Sequence, residues 1–232
     1  MAGLSPDRFV FPPPPTVALA IAGSDRLFPV HRVYCVGQNY AEHVAEMGVP
    51  QRESPVFFAK PADAVFNGSA VPYPGMTGNL HHEVELVVAL GSGGADVPRD
   101  RAAELVFGYA VGVDLTRRDL QSEAKKAGRP WTTAKGFDRS APLSPIRPLG
   151  AAGHPDRAAI ALSVNGNERQ RGNTADMTWG VADILSELSR YFTLAAGDLV
   201  FTGTPAGVGP VQSGDRVACS IQGVGSLEFE VV

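Results

Sequence analysis

The chain has 232 residues, of which 44% are hydrophobic and 19% are charged, and its formal net charge is −4. This length corresponds to one or two domains, and the near-neutral charge gives no electrostatic footprint for nucleic acid or an anionic membrane. The 26 glycines and 19 prolines argue against a helical bundle and favour many turns between short strands.

No stretch of about 18 apolar residues predicts a membrane span. The N-terminal region has four prolines and no basic segment ahead of its short apolar run, so we do not expect a signal peptide. Cys35 and Cys219 each lie in apolar, strand-like surroundings. Such surroundings favour buried, reduced thiols over a disulfide, and they favour a cytoplasmic location.

The hydrophobic pattern predicts mostly strands, with a few helices between them. The predicted strands cover residues 17–21, 33–36, 56–59, 83–89, 106–113 and 159–164, with further strands after Leu199. The predicted helices cover residues 40–47, 99–105, 115–126 and 178–191. Asn165 and Gly166 form a strong hairpin signal between 159–164 and 168–171. Because the helices are not regularly interleaved with the strands, we expect an α+β fold with a mostly β core.

Glu83 and Glu85 lie two residues apart on the clearest predicted strand, so their side chains share one face. The rest of this strand is apolar, and two carboxylates in a buried setting repel each other and resist desolvation. A divalent cation would resolve both problems, since carboxylates that start about 7 Å apart can converge on one ion. A solvated sheet edge is the alternative. His81 and His82 suggest zinc, but no third His or Cys lies at ligand spacing, which favours a hard cation with oxygen ligands.

Three further acidic or basic residues stand at informative positions. Asp114 ends the apolar stretch 106–113, where it is either the N-cap of the next helix or a third oxygen ligand. His43 and Glu46 are three residues apart and share one face of a short predicted helix. A histidine oriented by a carboxylate can act as a general base near neutral pH, whereas an exposed salt bridge is the simpler explanation of this pair.

Seven stretches of the chain, taken in order, resemble the fumarylacetoacetate hydrolase family, and among its branches the bacterial fumarylpyruvate or acylpyruvate hydrolases. They cover nearly the whole chain from about Val33. The stretches are VGQNYAEHVAEMG (36–48), PVFFAKPADAV (55–65), HHEVELVVALG (81–91), FGYAVGVDLTRRDLQ (107–121), WTTAKGFDRSAPLSP (131–145), VNGNERQRGNTADM (164–177) and GDLVFTGTPAGVG (197–209).

The resemblance implies a mixed β-sandwich roll that is usually assembled as a homodimer. It implies a catalytic domain at residues 31–232, preceded by a leader at residues 1–30. Animal fumarylacetoacetases carry a separate domain ahead of the matching motifs, and its absence here favours smaller acylpyruvate substrates.

The resemblance also implies the residues of an active site. It implies a Mg²⁺ or Mn²⁺ site formed by Glu83, Glu85 and Asp114, and a water-activating dyad of His43 and Glu46 on a lid. The other residues that it implies near the substrate are Lys135 as a catalytic residue and Arg118, Gln121, Lys60 and Thr204 as substrate-binding residues.

From this resemblance we expect a metal-dependent hydrolase that cleaves a carbon–carbon bond of a small diketo acid, a 3-acylpyruvate. The best candidate is fumarylpyruvate, cleaved to fumarate and pyruvate in aromatic catabolism, whose far carboxylate could meet Arg118 or Lys126. The alternatives are an oxaloacetate-type decarboxylase or dienedioate isomerase using the same metal, and a non-catalytic ligand-binding protein. His43 and Glu46 favour hydrolysis, because decarboxylation needs no activated water.

Overall fold

The computed structural model describes residues 8–40, 54–150 and 153–232. Strands dominate this part of the chain, as the sequence predicts. In chain order they are β1 (Ala18–Ala20), β2 (Leu27–Pro29), β3 (Val33–Gly37), β4 (Val56–Lys60), β5 (Val65–Phe66), β6 (Ala70–Val71), β7 (Leu80–His82), β8 (Val84–Leu90), β9 (Val106–Val113), β10 (Thr116–Arg117), β11 (Ala141–Pro142), β12 (Arg147–Pro148), β13 (Ala159–Val164), β14 (Asn167–Asn173), β15 (Leu199–Phe201), β16 (Gly209–Val211), β17 (Arg216–Ile221) and β18 (Gly225–Val231).

The described helices are few and short. They are α1 (Arg99–Ala102), α2 (Arg118–Lys126), α3 (Thr132–Lys135) and α4 (Val181–Tyr191), with 3₁₀ turns at Ala62–Ala64, Ala103–Leu105 and Thr174–Asp176. Within the described ranges, no helix is long and apolar enough to cross a membrane.

Two mixed sheets form the body of the protein. The larger has six strands in the order β12-β9-β8-β15-β3-β4, and the other has five in the order β14-β13-β17-β18-β6. Strand β15 pairs parallel with β3 and antiparallel with β8. Side chains from both sheets join one hydrophobic cluster between them. This mixed, mostly β arrangement confirms the predicted fold class.

Strand β8 lies in the middle of the larger sheet, and all seven of its residues are buried. Leu86 and Val88 pack into the cluster between the sheets, whereas Val87 and Ala89 pack into a second cluster on the opposite face. Alternate side chains of a strand point to opposite faces, so both faces of β8 are covered. The acidic residues at its start are therefore held at the end of a rigid, buried strand.

The second cluster also includes the N-terminal hairpin. Strands β1 and β2 pair antiparallel, and their Leu19 and Phe28 side chains are buried against the larger sheet together with Val30. Cys35 and Cys219 are free and buried, and burial raises the pKa of both thiols. This confirms the prediction of buried, reduced cysteines.

Most predicted elements are present, but two helices begin later than predicted, and the one predicted at 178–191 begins at Val181. The predicted hairpin is confirmed: β13 and β14 pair across Asn165 and Gly166, whose positive φ angles of 52° and 77° suit a tight hairpin turn. The predicted helix at 115–126 is wrong at its start, because β10 pairs with β7 and the helix begins only at Arg118. The predicted helix at 40–47 falls outside the described residues except for Tyr40.

Gly108 lies where strands β9 and β12 pack closely against each other. A Cβ at Gly108 would fall closer than van der Waals contact to the Arg147 carbonyl oxygen, which is backbone and cannot turn away. We expect Gly108→Ala to destabilise the protein by about 1–3 kcal/mol in urea unfolding, as overpacking does. Gly78→Ala is the control, since a Cβ there meets no atom within 4 Å. Equal stability of the two variants would contradict this packing.

Candidate metal centre and substrate pocket

Three carboxylates meet where β8 and β9 adjoin. Glu83 immediately precedes β8, Glu85 is its second residue, and Asp114 directly follows β9. The two strands run antiparallel with Val84 opposite Val113, so the start of one lies beside the end of the other. One oxygen from each carboxylate lies within 4.8 Å of the other two, and all three residues are buried. Asp114 is not a helix N-cap, because α2 begins four residues later.

Two lysines and an arginine surround this acidic cluster. Lys135 Nζ lies 2.6 Å from Asp114 Oδ2 and 2.9 Å from Glu83 Oε2, and it also donates to Thr116 Oγ1 at 2.7 Å. Lys60 Nζ lies 2.8 Å from Asp114 Oδ1. Arg118 donates to Glu83 through its guanidinium. The positive charges are thus distributed over Asp114 and Glu83.

Glu85 is the least compensated acid of the three. Burial, followed by repulsion from Asp114 and Glu83, raises the pKa of Glu85 well above its usual value. Its Oε2 accepts a hydrogen bond of 2.6 Å from the Gly203 backbone N–H. Burial alone would lower the pKa of Lys135, but the Asp114 and Glu83 carboxylates outweigh it and raise that pKa. Among the described residues, no cationic side chain forms an ion pair with Glu85, whereas Asp114 and Glu83 each have such partners.

The donor atoms suit a divalent cation with oxygen ligands. Three carboxylates are the ligands that Mg²⁺ and Mn²⁺ prefer. Asp114 Oδ1 is buried and accepts no well-oriented hydrogen bond from any described residue, so its contact with Lys60 is one of charge alone. Neither neighbouring histidine belongs to this group of converging ligand atoms: His81 Nε2 lies 2.9 Å from Asn79 Oδ1, and His82 Nδ1 lies 2.9 Å from Gln170 Oε1. This favours the hard cation over zinc.

A pocket opens over the carboxylate cluster. Of the residues predicted from sequence, the pocket is lined by Glu83, Glu85, Asp114, Arg118, Gln121, Lys135 and Thr204. Lys60 is buried behind it, where it contacts Asp114 and donates to Ser140 Oγ at 3.0 Å. His43 and Glu46 lie outside the described residues, so their predicted dyad stays a prediction.

The loop after β15 forms one wall of the pocket. Gly203 has a φ of 94°, and a Cβ there would come within 2.7 Å of the Asn39 Cβ. Only glycine fits, which explains why this loop can present its N–H to Glu85. Thr204 donates to the Val84 carbonyl and accepts from Gln170 Nε2, both at 2.7 Å. Gln170 therefore fixes Thr204 against the start of β8, a role that the sequence did not indicate.

Other pocket residues were not predicted from the sequence. They are Val36, Gly37, Gln38, Phe58, Lys125, Trp131 and Gly203. Helical spacing could have found one of them, because Arg118, Gln121 and Lys125 stand at i, i+3 and i+7 and share a face of α2. Lys126 was one of the two residues proposed from sequence for a far carboxylate. It lies off this face of α2 and does not line the pocket, whereas Arg118, the other, does.

Comparison with known proteins agrees with this fold. The family model of the fumarylacetoacetate (FAA) hydrolase C-terminal domain matches residues 32–232. This protein belongs to that family. A solved family member, the fumarylpyruvate hydrolase of Pseudomonas aeruginosa in complex with Mn²⁺ and pyruvate, is 53% identical with a TM-score of 0.94, over 97% of this chain and 99% of that one.

Other members of the fumarylacetoacetate hydrolase family carry different activities. Oxaloacetate tautomerase YcgM of Escherichia coli is 45% identical over 198 residues, which are 84% of this chain and 90% of that protein. The 5-carboxymethyl-2-hydroxymuconate delta-isomerase of Mycobacterium smegmatis is 36% identical with a TM-score of 0.77, over 89% of this chain and 80% of that one. Hydrolases, tautomerases and isomerases thus share this fold, and membership of the family alone does not decide between these reactions.

Proposed function

We propose that this protein is a metal-dependent hydrolase that cleaves fumarylpyruvate, a 3-acylpyruvate, to fumarate and pyruvate. The observation that carries the proposal is the buried cluster of Glu83, Glu85 and Asp114 beneath a pocket lined with cationic side chains. The similarity to the Pseudomonas aeruginosa fumarylpyruvate hydrolase, at 53% identity over nearly the whole chain, supports the choice of substrate.

The three carboxylates would hold Mg²⁺ or Mn²⁺. When bound there, the cation supplies Lewis-acid stabilisation of negative charge on a substrate oxygen. The pyruvate end of the substrate, with its carboxylate and 2-oxo group, has the oxygen donors that such a site takes. We therefore assign this end of the substrate to the floor of the pocket.

Lys135 and Arg118 place positive charge beside the bound substrate. The Lys135 ammonium is held in place by its contacts with Asp114 and Glu83, and it adds positive charge beside the oxygen on which negative charge develops. In a site with little water, such a fixed charge stabilises a transition state more than it would in solution. Arg118, braced by Gln121, adds a second cation beside the same end of the substrate. Thr204 and Gln121 contribute polar groups to the pocket wall.

Hydrolysis also requires a base that takes a proton from water. We assign this role to His43, oriented by Glu46, on the sequence pattern and the family resemblance. The hydroxide that forms adds to the fumaryl carbonyl carbon, and the bond between this carbon and C3 of pyruvate breaks. Its electron pair leaves with pyruvate as the enolate, which then takes up a proton at C3. The net reaction consumes one water and releases fumarate and pyruvate.

A second candidate is a reaction of oxaloacetate on the same site. The 45% identity to oxaloacetate tautomerase YcgM favours this candidate, and enolisation or decarboxylation of oxaloacetate would use the same charge-stabilising groups. The two candidates differ in their need for activated water, since only hydrolysis consumes it.

A substrate panel separates these candidates. The protein is stripped of metal with a chelator, resupplied with Mn²⁺ or Mg²⁺, and assayed with fumarylpyruvate, acetylpyruvate and oxaloacetate. We expect metal-dependent loss of the enol absorbance of fumarylpyruvate, with fumarate and pyruvate formed in equal amounts. Interconversion of oxaloacetate tautomers with no cleavage of either acylpyruvate would contradict the hydrolase assignment. Full activity after exhaustive chelation would contradict the metal requirement.

A further inference from the structure

We propose that Lys125 is the residue that selects substrates with a second carboxylate at their far end. This inference rests on the proposed function, because it assigns the part of the pocket that receives the acyl group. Lys125 lines the same pocket as the carboxylate cluster, yet its side chain is exposed whereas Glu83, Glu85 and Asp114 are buried. It therefore stands at the mouth of the pocket while the carboxylates form the floor.

The face of α2 that bears Lys125 runs from the floor of the pocket to its mouth. Arg118, at the first turn, reaches Glu83, and Lys125 lies seven residues further along. Seven residues of helix place the Cα of Lys125 about 10 Å further along the helix axis than that of Arg118, so the face of α2 that lines the pocket extends from the carboxylate cluster towards the mouth. A substrate whose pyruvate end lies at the carboxylate cluster could thus bring its far carboxylate to Lys125.

Lys125 is held in position by aromatic packing. Its Nζ lies 5.0 Å from the centroid of the Trp131 ring, within the range of a cation–π contact. Trp131 packs in turn against Phe58, with ring centroids 5.7 Å apart, and both rings line the pocket. The ammonium is therefore placed beside an apolar wall that suits the alkene of a fumaryl group.

The other cations near the pocket are already engaged with protein groups. Lys135 and Lys60 contact Asp114, and Arg118 contacts Glu83 and Gln121. Lys125, by contrast, forms no ion pair with any residue of the described ranges. Partial desolvation by the surrounding protein, followed by the positive charge of Arg118, lowers its pKa. A carboxylate arriving from the substrate would relieve this repulsion by forming a charge-assisted hydrogen bond.

The test compares Lys125→Met with Lys126→Met. The second variant is the control, because it removes the adjacent exposed lysine that lies outside the pocket. For the Mn²⁺-loaded protein, kcat/KM is measured with fumarylpyruvate and with acetylpyruvate, whose acyl group ends in a methyl. We expect Lys125→Met to lower the ratio of the two kcat/KM values by about 10–100-fold, mainly through a higher KM for fumarylpyruvate. Lys126→Met should leave the ratio within about 2-fold, and Lys125→Arg should retain most of the preference.

Two results would overturn the assignment of Lys125: an unchanged ratio in Lys125→Met, or equal losses for both substrates. Failure of the proposed function gives a different result, namely that the wild-type protein cleaves neither acylpyruvate. In that case the dissociation constants of the same two compounds are measured by calorimetry on the Mn²⁺-loaded protein. Tighter wild-type binding of fumarylpyruvate, lost in Lys125→Met but kept in Lys126→Met, would still support the role of Lys125, and equal binding by all three proteins would refute it.

Discussion

Glu85→Gln should abolish catalysis and, at the same time, make the metal-free protein more resistant to unfolding. The loss of activity follows from the position of Glu85 in the carboxylate cluster, where its oxygen lies within 4.8 Å of oxygens from Glu83 and Asp114. Altering groups that only support a metal ligand typically lowers activity by about 10–100-fold. We expect the loss of a ligand itself to exceed about 100-fold.

The gain in stability follows from the raised pKa of Glu85. Burial and the two neighbouring carboxylates disfavour its ionised form in the folded protein. In the unfolded chain this carboxyl ionises freely above about pH 4.5, so at neutral pH its charge favours unfolding. Glutamine has the same shape and no charge, and so the metal-free variant should be more stable at pH 7.

The difference in stability between the wild type and Glu85→Gln should depend on pH and on added metal. Unfolding of both metal-free proteins is followed in urea from pH 5 to pH 8. The stability advantage of Glu85→Gln should be largest at high pH and should shrink on acidification, as Glu85 of the wild type takes up its proton. Added Mn²⁺ should stabilise the wild type and have little effect on the variant. Glu228→Gln, at an exposed position of β18, should match the wild type throughout; a destabilised Glu85→Gln protein would contradict the account.

His43→Ala should separate hydrolysis from reactions that need no water. Loss of a general base typically lowers the rate by about 10²–10⁴-fold, and we expect a decrease of this size in fumarylpyruvate cleavage. Decarboxylation of oxaloacetate, where the wild type shows it, should decline far less, because that reaction uses only the charge-stabilising groups of the pocket.

The comparison is made on one preparation of each protein, with Mn²⁺ at saturation and both substrates assayed in parallel. Lys135→Met supplies the converse control, since removing its ammonium should depress both reactions. Equal losses of the two reactions in His43→Ala would show that the histidine does not act on water.

The sequence predicted the carboxylate cluster well because its cause is local. Two acids spaced by one residue on an apolar strand must share a face, and Asp114 ends the apolar stretch of β9. The pairing of β8 with β9 then brings the three together. The hairpin at Asn165 and Gly166 was predictable for the same reason, since its turn depends on two adjacent residues.

Features that depend on distant partners were not predictable. Leu115 to Arg117 have a helix-like sequence, but Thr116 and Arg117 pair with β7, and this pairing delays the helix to Arg118. Gln170 reaches Thr204 from a strand of the other sheet, and no local pattern marks such a contact. Lys125 is different, because its helical spacing from Arg118 and Gln121, which Lys126 does not share, could have identified it from the sequence.

Hydrolysis by this protein is tested by cleavage of fumarylpyruvate by the Mn²⁺-loaded protein in water enriched in ¹⁸O, with the products analysed by mass spectrometry. Attack of water at the fumaryl carbonyl carbon predicts one ¹⁸O atom in the new carboxylate of each fumarate, with pyruvate formed in equal amount. The label should not appear with the metal-free protein. Turnover of fumarylpyruvate without labelled fumarate, or its isomerisation with no pyruvate released, would contradict the assignment of this protein as a carbon–carbon bond hydrolase.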